Sequence, residues 1–225
     1  MKRPFDEELN TLKERLLRMA SLAEESITLA VKSLKDRKEG LAREVFKREK
    51  TINLLDIEID ELCLKLLALR QPMAVDLRFI TSAMKIVSEL ERIGDQAVNI
   101  AERSLDLIKL PLLKPLIDIP RMAALAQDMV KDAIDAFINR DDRLAKDVCE
   151  RDDEVDNLNN QIFRELLTYM MQDPSTIRRA VDLILVGRHL ERIADHATNI
   201  AEDIIYYVKG KTIKHLWEKR EDEAS

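Results

Sequence analysis

The sequence predicts an all-α chain: a tandem duplication of two three-helix bundles, six long antiparallel helices in total. Three observations predict this. Four Gly and six Pro are the only strong breakers in 225 residues, and aromatic residues make up 4% beside 46% hydrophobic residues overall, a balance that suits long helices. Apolar residues recur at helical spacing along most of the chain. A block of sequence also occurs twice: residues 90–102 read LERIGDQAVNIAE and residues 190–202 read LERIADHATNIAE, with ten of thirteen positions identical at an offset of one hundred.

Taken in order, the first helix carries Leu9, Leu12, Leu16, Met19, Ala23, Ile27, Ala30 or Val31, and Leu34 on one face, and Gly40 is its expected stop. The second runs through Val45, Ile52, Leu55, Ile59, Leu62, Leu66 and Leu69 and ends before Pro72. The third has Asp76 as its expected N-cap, carries Ile80, Met84, Val87, Leu90, Ile93, Ala97 and Ile100, and fades before Pro111. Pro111, Pro115 and Pro120 are the most closely spaced prolines, so residues 111–120 read as a linker between a first bundle at 1–110 and a second at 121–210. The second half repeats the pattern with helices at about 119–139, 142–171 and 175–208. Here Val155, Leu158 and Ile162 match Ile52, Leu55 and Ile59 at an offset of 103. Gly210 closes the last helix, and residues 211–225 read as a charged tail with Trp217 as its anchor.

Composition excludes several classes of function. The net charge of −6 and pI near 5.3 argue against nucleic acid as a partner, because that affinity comes largely from Lys and Arg neutralising phosphates; cations or basic protein surfaces fit better. Cys63 and Cys149 show no CxxC spacing, and Cys63 falls in the apolar register of its helix, so no disulfide framework is expected. The first residues turn charged at once and no apolar run approaches a membrane span, which makes the cytoplasm the expected location, without direct membrane insertion. The chain has no GxSxG, Gly-rich phosphate loop or HExxH, so no catalytic residues and no enzyme activity are expected.

The duplicated block carries acids. With Glu91 at zero on a helical wheel, Asp95, Asn99 and Glu102 fall at about 40°, 80° and 20°, flanking the apolar face. Glu191, Asp195, Asn199 and Glu202 do the same in the second copy. On the helix before, Glu49, Asn53, Asp56 and Asp60 form a stripe beside Ile52, Leu55 and Ile59, with Asp152 and Asp156 at the positions that match Glu49 and Asn53. Antiparallel neighbours would bring the two stripes together along one groove per bundle. Acids at i and i+4 repel by a few tenths of a kcal/mol even on an isolated helix. A cation would remove that cost, and oxygen ligands suit Mg, Ca, Mn or iron. Arg92, Arg192 and Arg103 offer the plainer alternative of pairing with solvated surface acids. Ferritin-like oxidase chemistry needs Glu-x-x-His pairs, and neither Glu91 nor Glu191 has one. His196 is replaced by Gln96 in the other copy, so the duplicated site does not depend on it; it reads as a surface residue, with an extra ligand as the alternative.

The six-helix duplication, ERIGD and ERIAD a hundred residues apart, and RQPMAVDLR in the first hairpin together resemble the PhoU family, the phosphate-specific transport accessory and regulatory proteins of bacteria. The resemblance covers nearly the whole chain. It implies a cytoplasmic homodimer that acts as a negative regulator of the phosphate-starvation response and of phosphate uptake. The implied partners are a phosphate ABC transporter, through its ATPase subunit, and a sensor histidine kinase. It further implies metal held at E(D)xxxD motifs, here Glu91 with Asp95, Asp152 with Asp156, and Glu191 with Asp195, the ion being iron, Mn, Zn, Mg or Ca. The first bundle departs from the pattern, since Glu49 is followed by Asn53 while Asp56 and Asp60 form a second DxxxD. A paralogue serving another phosphate transporter would share these features.

Overall fold

The structure is a computed structural model that describes residues 4–209; the expected stop at Gly210 and the 211–225 tail with Trp217 lie outside them. Six helices account for nearly all of it: α1 (Pro4–Asp36), α2 (Glu39–Arg70), α3 (Ala74–Ile108), α4 (Asp118–Asn139), α5 (Asp142–Gln172) and α6 (Ile177–Lys209), with a short 3₁₀ turn at Pro174–Thr176 leading into α6. The all-α duplication is thus confirmed, and most helix ends fall within a few residues of the periodicity reading.

Three local expectations need correction. Gly40 does not stop the first helix; it sits in the first turn of α2. The break is made by Arg37 in the left-handed region (φ 54°), with Lys38 N–H returning to the Ser33 carbonyl at 3.0 Å. This is a Schellman-type closure, in which one residue beyond the helix reverses the chain and satisfies the last carbonyls. Its counterpart ends α4, where Arg140 is left-handed (φ 56°) and Asp141 N–H reaches the Ala136 carbonyl at 2.9 Å. Asp76 is not an N-cap either: α3 starts two residues earlier, behind an extended Met73, and Asp76 lies in its first turn, where its charge complements the helix dipole. Pro120, assigned to the linker, lies in the first turn of α4, where a missing N–H costs nothing.

Each half folds as a three-helix unit, but the two share one hydrophobic core. α3 packs against α6 and α1 against α4, leaving α2 and α5 on the outside. Along the central pair, Arg78 donates to the Tyr207 carbonyl (3.2 Å) near one end and Arg103 pairs with Asp182 (3.4 Å) near the other. Residue numbers rise on one helix as they fall on the other, so the two run antiparallel. Phe79 stacks on Phe137 with centroids 5.0 Å apart, and Tyr207 tilts against both, joining α3, α4 and α6. The linker is strapped down by Arg37, which donates to the Ile108 and Leu110 carbonyls (2.5 and 2.6 Å), and by Arg179, which donates to that of Pro111 (3.2 Å). The buried Lys114 ammonium meets the Glu165 carboxylate on α5.

Within the repeat, the one Gly/Ala difference in the ERI(G/A)D block has a packing reason. A Cβ on Gly94 would stand 3.1 Å from Ile52 Cδ1, tighter than ordinary contact. The matching positions of the second repeat hold Ala194 and Val155, so a smaller partner accompanies the larger residue. Cys63 is buried in this core as its register predicted, and burial pushes its thiol up to about 12.

Candidate metal grooves

The burial of Ile52, Leu55 and Ile59 on α2, and of Leu90, Ile93 and Ala97 on α3, fixes which residues flank the seam between these helices. Glu49, Asn53 and Asp56 come from α2, and Glu91 and Asp95 from α3. They feel one another. The Glu91 carboxyl is held above the usual carboxylate range by burial first, then by Asp95, Asp56 and Glu49. Asp95 is raised by burial and by Glu49, and Asp56 by burial and by Asp60. Asn53 Nδ2 donates to Glu49 Oε1 at 2.5 Å, one helical turn back. Asn53 Oδ1 is buried with no hydrogen-bond donor.

The second groove, between α5 and α6, repeats the arrangement with different letters. Asp152 is the most perturbed carboxylate: burial, followed by the charges of Asp195, Asp156, Asp153 and Glu191, pushes it up to about 7. Glu191 is raised by burial, Asp156 and Asp195; Asp195 by burial and Asp156; and Asp156 by burial and Asp153. One oxygen of Asp152 is buried and has no donor. Asn159 Nδ2 donates across the groove to Glu191 Oε2 at 2.9 Å.

The structure therefore brings together Glu49, Asn53, Asp56, Glu91 and Asp95 in one groove and Asp152, Asp156, Glu191 and Asp195 in the other. The remaining candidates fall elsewhere. Asn199 turns away to donate to Glu89 of the other repeat (3.2 Å). Glu202 lies further along α6, where its charge, after burial, helps push the Cys149 thiol up to about 12. Glu102 is exposed, and Asn99 is half-buried. His196, expected on the surface, is half-buried between the repeats, its Nδ1 donating to Glu89 Oε2 at 2.7 Å; Glu89 is held below the usual range because these hydrogen bonds outweigh its burial. Sequence reading missed Asn159, although it stands 103 residues after Asp56, the same offset that relates the other residues of these two helices.

Oxygen acceptors dominate both grooves, and each holds a buried oxygen that lacks a donor in a setting already too negative. Such a donor set fits a hard divalent cation, which neutralises carboxylates and accepts several oxygens at once. Glu49, Asn53, Asp56, Glu91 and Asp95 would hold it in the first groove, and Asp152, Asp156, Glu191 and Asp195 in the second. Among the described residues no group of three or more His, Cys, Asp or Glu side chains is placed to hold a metal ion as it stands, so a cation would have to draw these carboxylates together. Nor is any described helix long and apolar enough to cross a membrane.

The family model described as PhoU domain matches residues 16–104 and again 119–204, one match per three-helix unit. A phosphate-specific transport system accessory protein PhoU homolog of Aquifex aeolicus is 46% identical over 216 residues, covering 96% of this chain and 98% of that one. Its counterpart in Pseudomonas aeruginosa is 41% identical over 213 residues, 94% of this chain and 88% of the relative. The crystal structure of PhoU from Pseudomonas aeruginosa superposes with a TM-score of 0.88 at 42% identity, covering 92% of this chain and all of that chain (100%). The phosphate transport system regulatory protein PhoU from Streptococcus pneumoniae gives 0.85 at 28% identity, over 93% of this chain and 99% of the other.

Proposed function

The chain belongs to the PhoU family, and from that premise we propose that it is an accessory protein of phosphate transport that restrains both uptake and the phosphate-starvation response. It acts without turnover, as a cytoplasmic homodimeric adaptor between a phosphate ABC transporter, at its ATPase subunit, and a sensor histidine kinase. The observation that carries this reading is similarity along nearly the whole given sequence: 46% identity over 96% of the chain to a phosphate-specific transport accessory protein.

The grooves supply the docking surface in this reading. A bound divalent cation would contribute positive charge between carboxylates that otherwise repel across each helix pair. Glu49, Asp56, Glu91 and Asp95 on one side, and Asp152, Asp156, Glu191 and Asp195 on the other, hold α2 to α3 and α5 to α6 at a fixed spacing once that repulsion is removed. The duplicated surface then offers two similar faces to a dimeric partner.

The test is a strain lacking this chain that carries a starvation-response reporter and is grown in abundant phosphate. Loss of the chain should switch the reporter on, and wild type should restore silence while co-purifying with the ATPase subunit and the kinase. An Asp95→Ala/Asp195→Ala variant should recover neither. A reporter that stays silent without the chain would refute the regulatory reading, and full complementation by the double variant would remove the grooves from it.

A further inference from the structure

The two grooves hold the same number of carboxylates, yet they are wired differently, and one glycine accounts for much of the difference. On α6, a Cβ at Gly187 would stand 2.8 Å from Asn159 Oδ1, a distance real side chains do not tolerate. The bare backbone at Gly187 thus makes the seat into which the Asn159 amide fits. Seated there, Asn159 reaches from α5 to α6 and donates Nδ2 to Glu191 Oε2 at 2.9 Å. The matching positions of the first repeat are Val87 and Asp56. Val87 is fully buried, and Asp56 carries a charge where Asn159 carries a donor. The amide of the first groove, Asn53, instead holds Glu49 on its own helix.

We propose that Asn159, seated against Gly187, is the positioning residue of the second groove, tethering Glu191 across the helix pair and so limiting how far its carboxylate must move to meet a divalent cation. The inference rests on the cation-binding reading of the grooves. Orientation by a neutral amide costs no added negative charge, whereas Asp56 opposite Glu91 adds one. Gly187 leaves the space the Asn159 amide occupies, and the hydrogen bond from that amide ties Glu191 to α5.

The test is Mn²⁺ binding followed by the electron paramagnetic resonance of free Mn²⁺, in a parent chain whose first groove is disabled by Glu91→Gln/Asp95→Asn so that only the second reports. Asn159→Ala should weaken binding about tenfold, the scale on which residues that orient metal ligands act. Gly187→Ala, which unseats the amide, should weaken it similarly. The double variant should be no worse than either single, because both act through one hydrogen bond. Helix content by circular dichroism should be unchanged throughout. In the opposite parent, with Glu191→Gln/Asp195→Asn, Asn159→Ala should leave Mn²⁺ binding alone. Tight binding by the first parent that survives Asn159→Ala would overturn the positioning role while leaving the grooves as cation sites, and so would additive losses in the double variant. Absence of binding in the full wild-type chain would overturn the cation reading itself, and this inference with it.

Discussion

Asp152→Asn is the most discriminating single change. In the cation-free chain the folded state pushes this carboxyl up to about 7 from an ordinary 3.8, mainly through burial and then through four acidic neighbours. The folded chain therefore keeps a proton that the unfolded chain has released, so stability falls as pH rises from about 4 to about 7. A shift of about 3 units has a ceiling near 4 kcal/mol. Asp152 is only partly buried, and screening by solvent reduces this to about 1–2 kcal/mol at pH 7.5. Asparagine keeps the shape and removes the charge, so with a chelator present Asp152→Asn should melt about 3–6 °C above wild type. By pH 5 the advantage should shrink to less than about half, since the folded carboxyl is then protonated. Divalent cation should reverse the order. At a hundredfold excess over the dissociation constant, wild type gains about 2.7 kcal/mol, and the variant, short of one ligand, gains less. Differential scanning calorimetry across the four conditions decides the matter. A variant no more stable than wild type in chelator would show that the acids are relaxed solvated charges, and equal gains from cation would remove Asp152 from any site.

Two further outcomes follow from the packing and the turns. Gly94→Ala should destabilise by about 1–3 kcal/mol through overpacking on Ile52, and adding Ile52→Val, which recreates the pairing of the second repeat, should recover most of it in urea unfolding. Asp141 caps α5 by accepting from Arg143 N–H (3.0 Å) and Leu144 N–H (3.1 Å), whereas Lys38, at the equivalent position before α2, makes no side-chain cap; Asp141→Ala should cost about 1 kcal/mol and Lys38→Asp should gain about 0.5–1 kcal/mol, read from thermal midpoints.

The fold was legible because its signals are local and repeated. Helical periodicity and the offsets of 100 and 103 place six helices without any knowledge of how they pack, and the acid stripes follow from the same arithmetic. The errors arose where backbone conformation overrides residue preference. Arg37 and Arg140 take a left-handed conformation that favours glycine, so Gly40, the expected breaker, was free to sit inside a helix. Contacts between the halves were illegible for another reason: they depend on which faces of α3 and α6 meet, and a residue such as Asn199 looks like its neighbours in the stripe until Glu89 of the other repeat draws it away.

That central contact is itself uneven between the two copies. The pair Glu89–His196 and the pair Gln96–His189 are mates under the offset of one hundred, so one pseudo-twofold relation generates both. A chain of identical repeats would place the same two residue types at both. Here one pair is a carboxylate with an imidazole at 2.7 Å, and the other an amide with an imidazole at 2.9 Å, whose His189 is pushed down to about 4 by burial and then by Arg192, Arg103 and Arg188. The amide needs only a neutral donor from its histidine, whereas the carboxylate leaves a charge half-buried at the seam and recruits Asn199 as a second donor. In both grooves the amide comes from the outer helix, Asn53 on α2 and Asn159 on α5, so neither groove uses the asparagine of the duplicated block. The amide donors thus differ between the repeats both at their mutual contact, where only Asn199 reaches Glu89, and in the grooves, where Asn53 holds an acid of its own helix and Asn159 one of the facing helix.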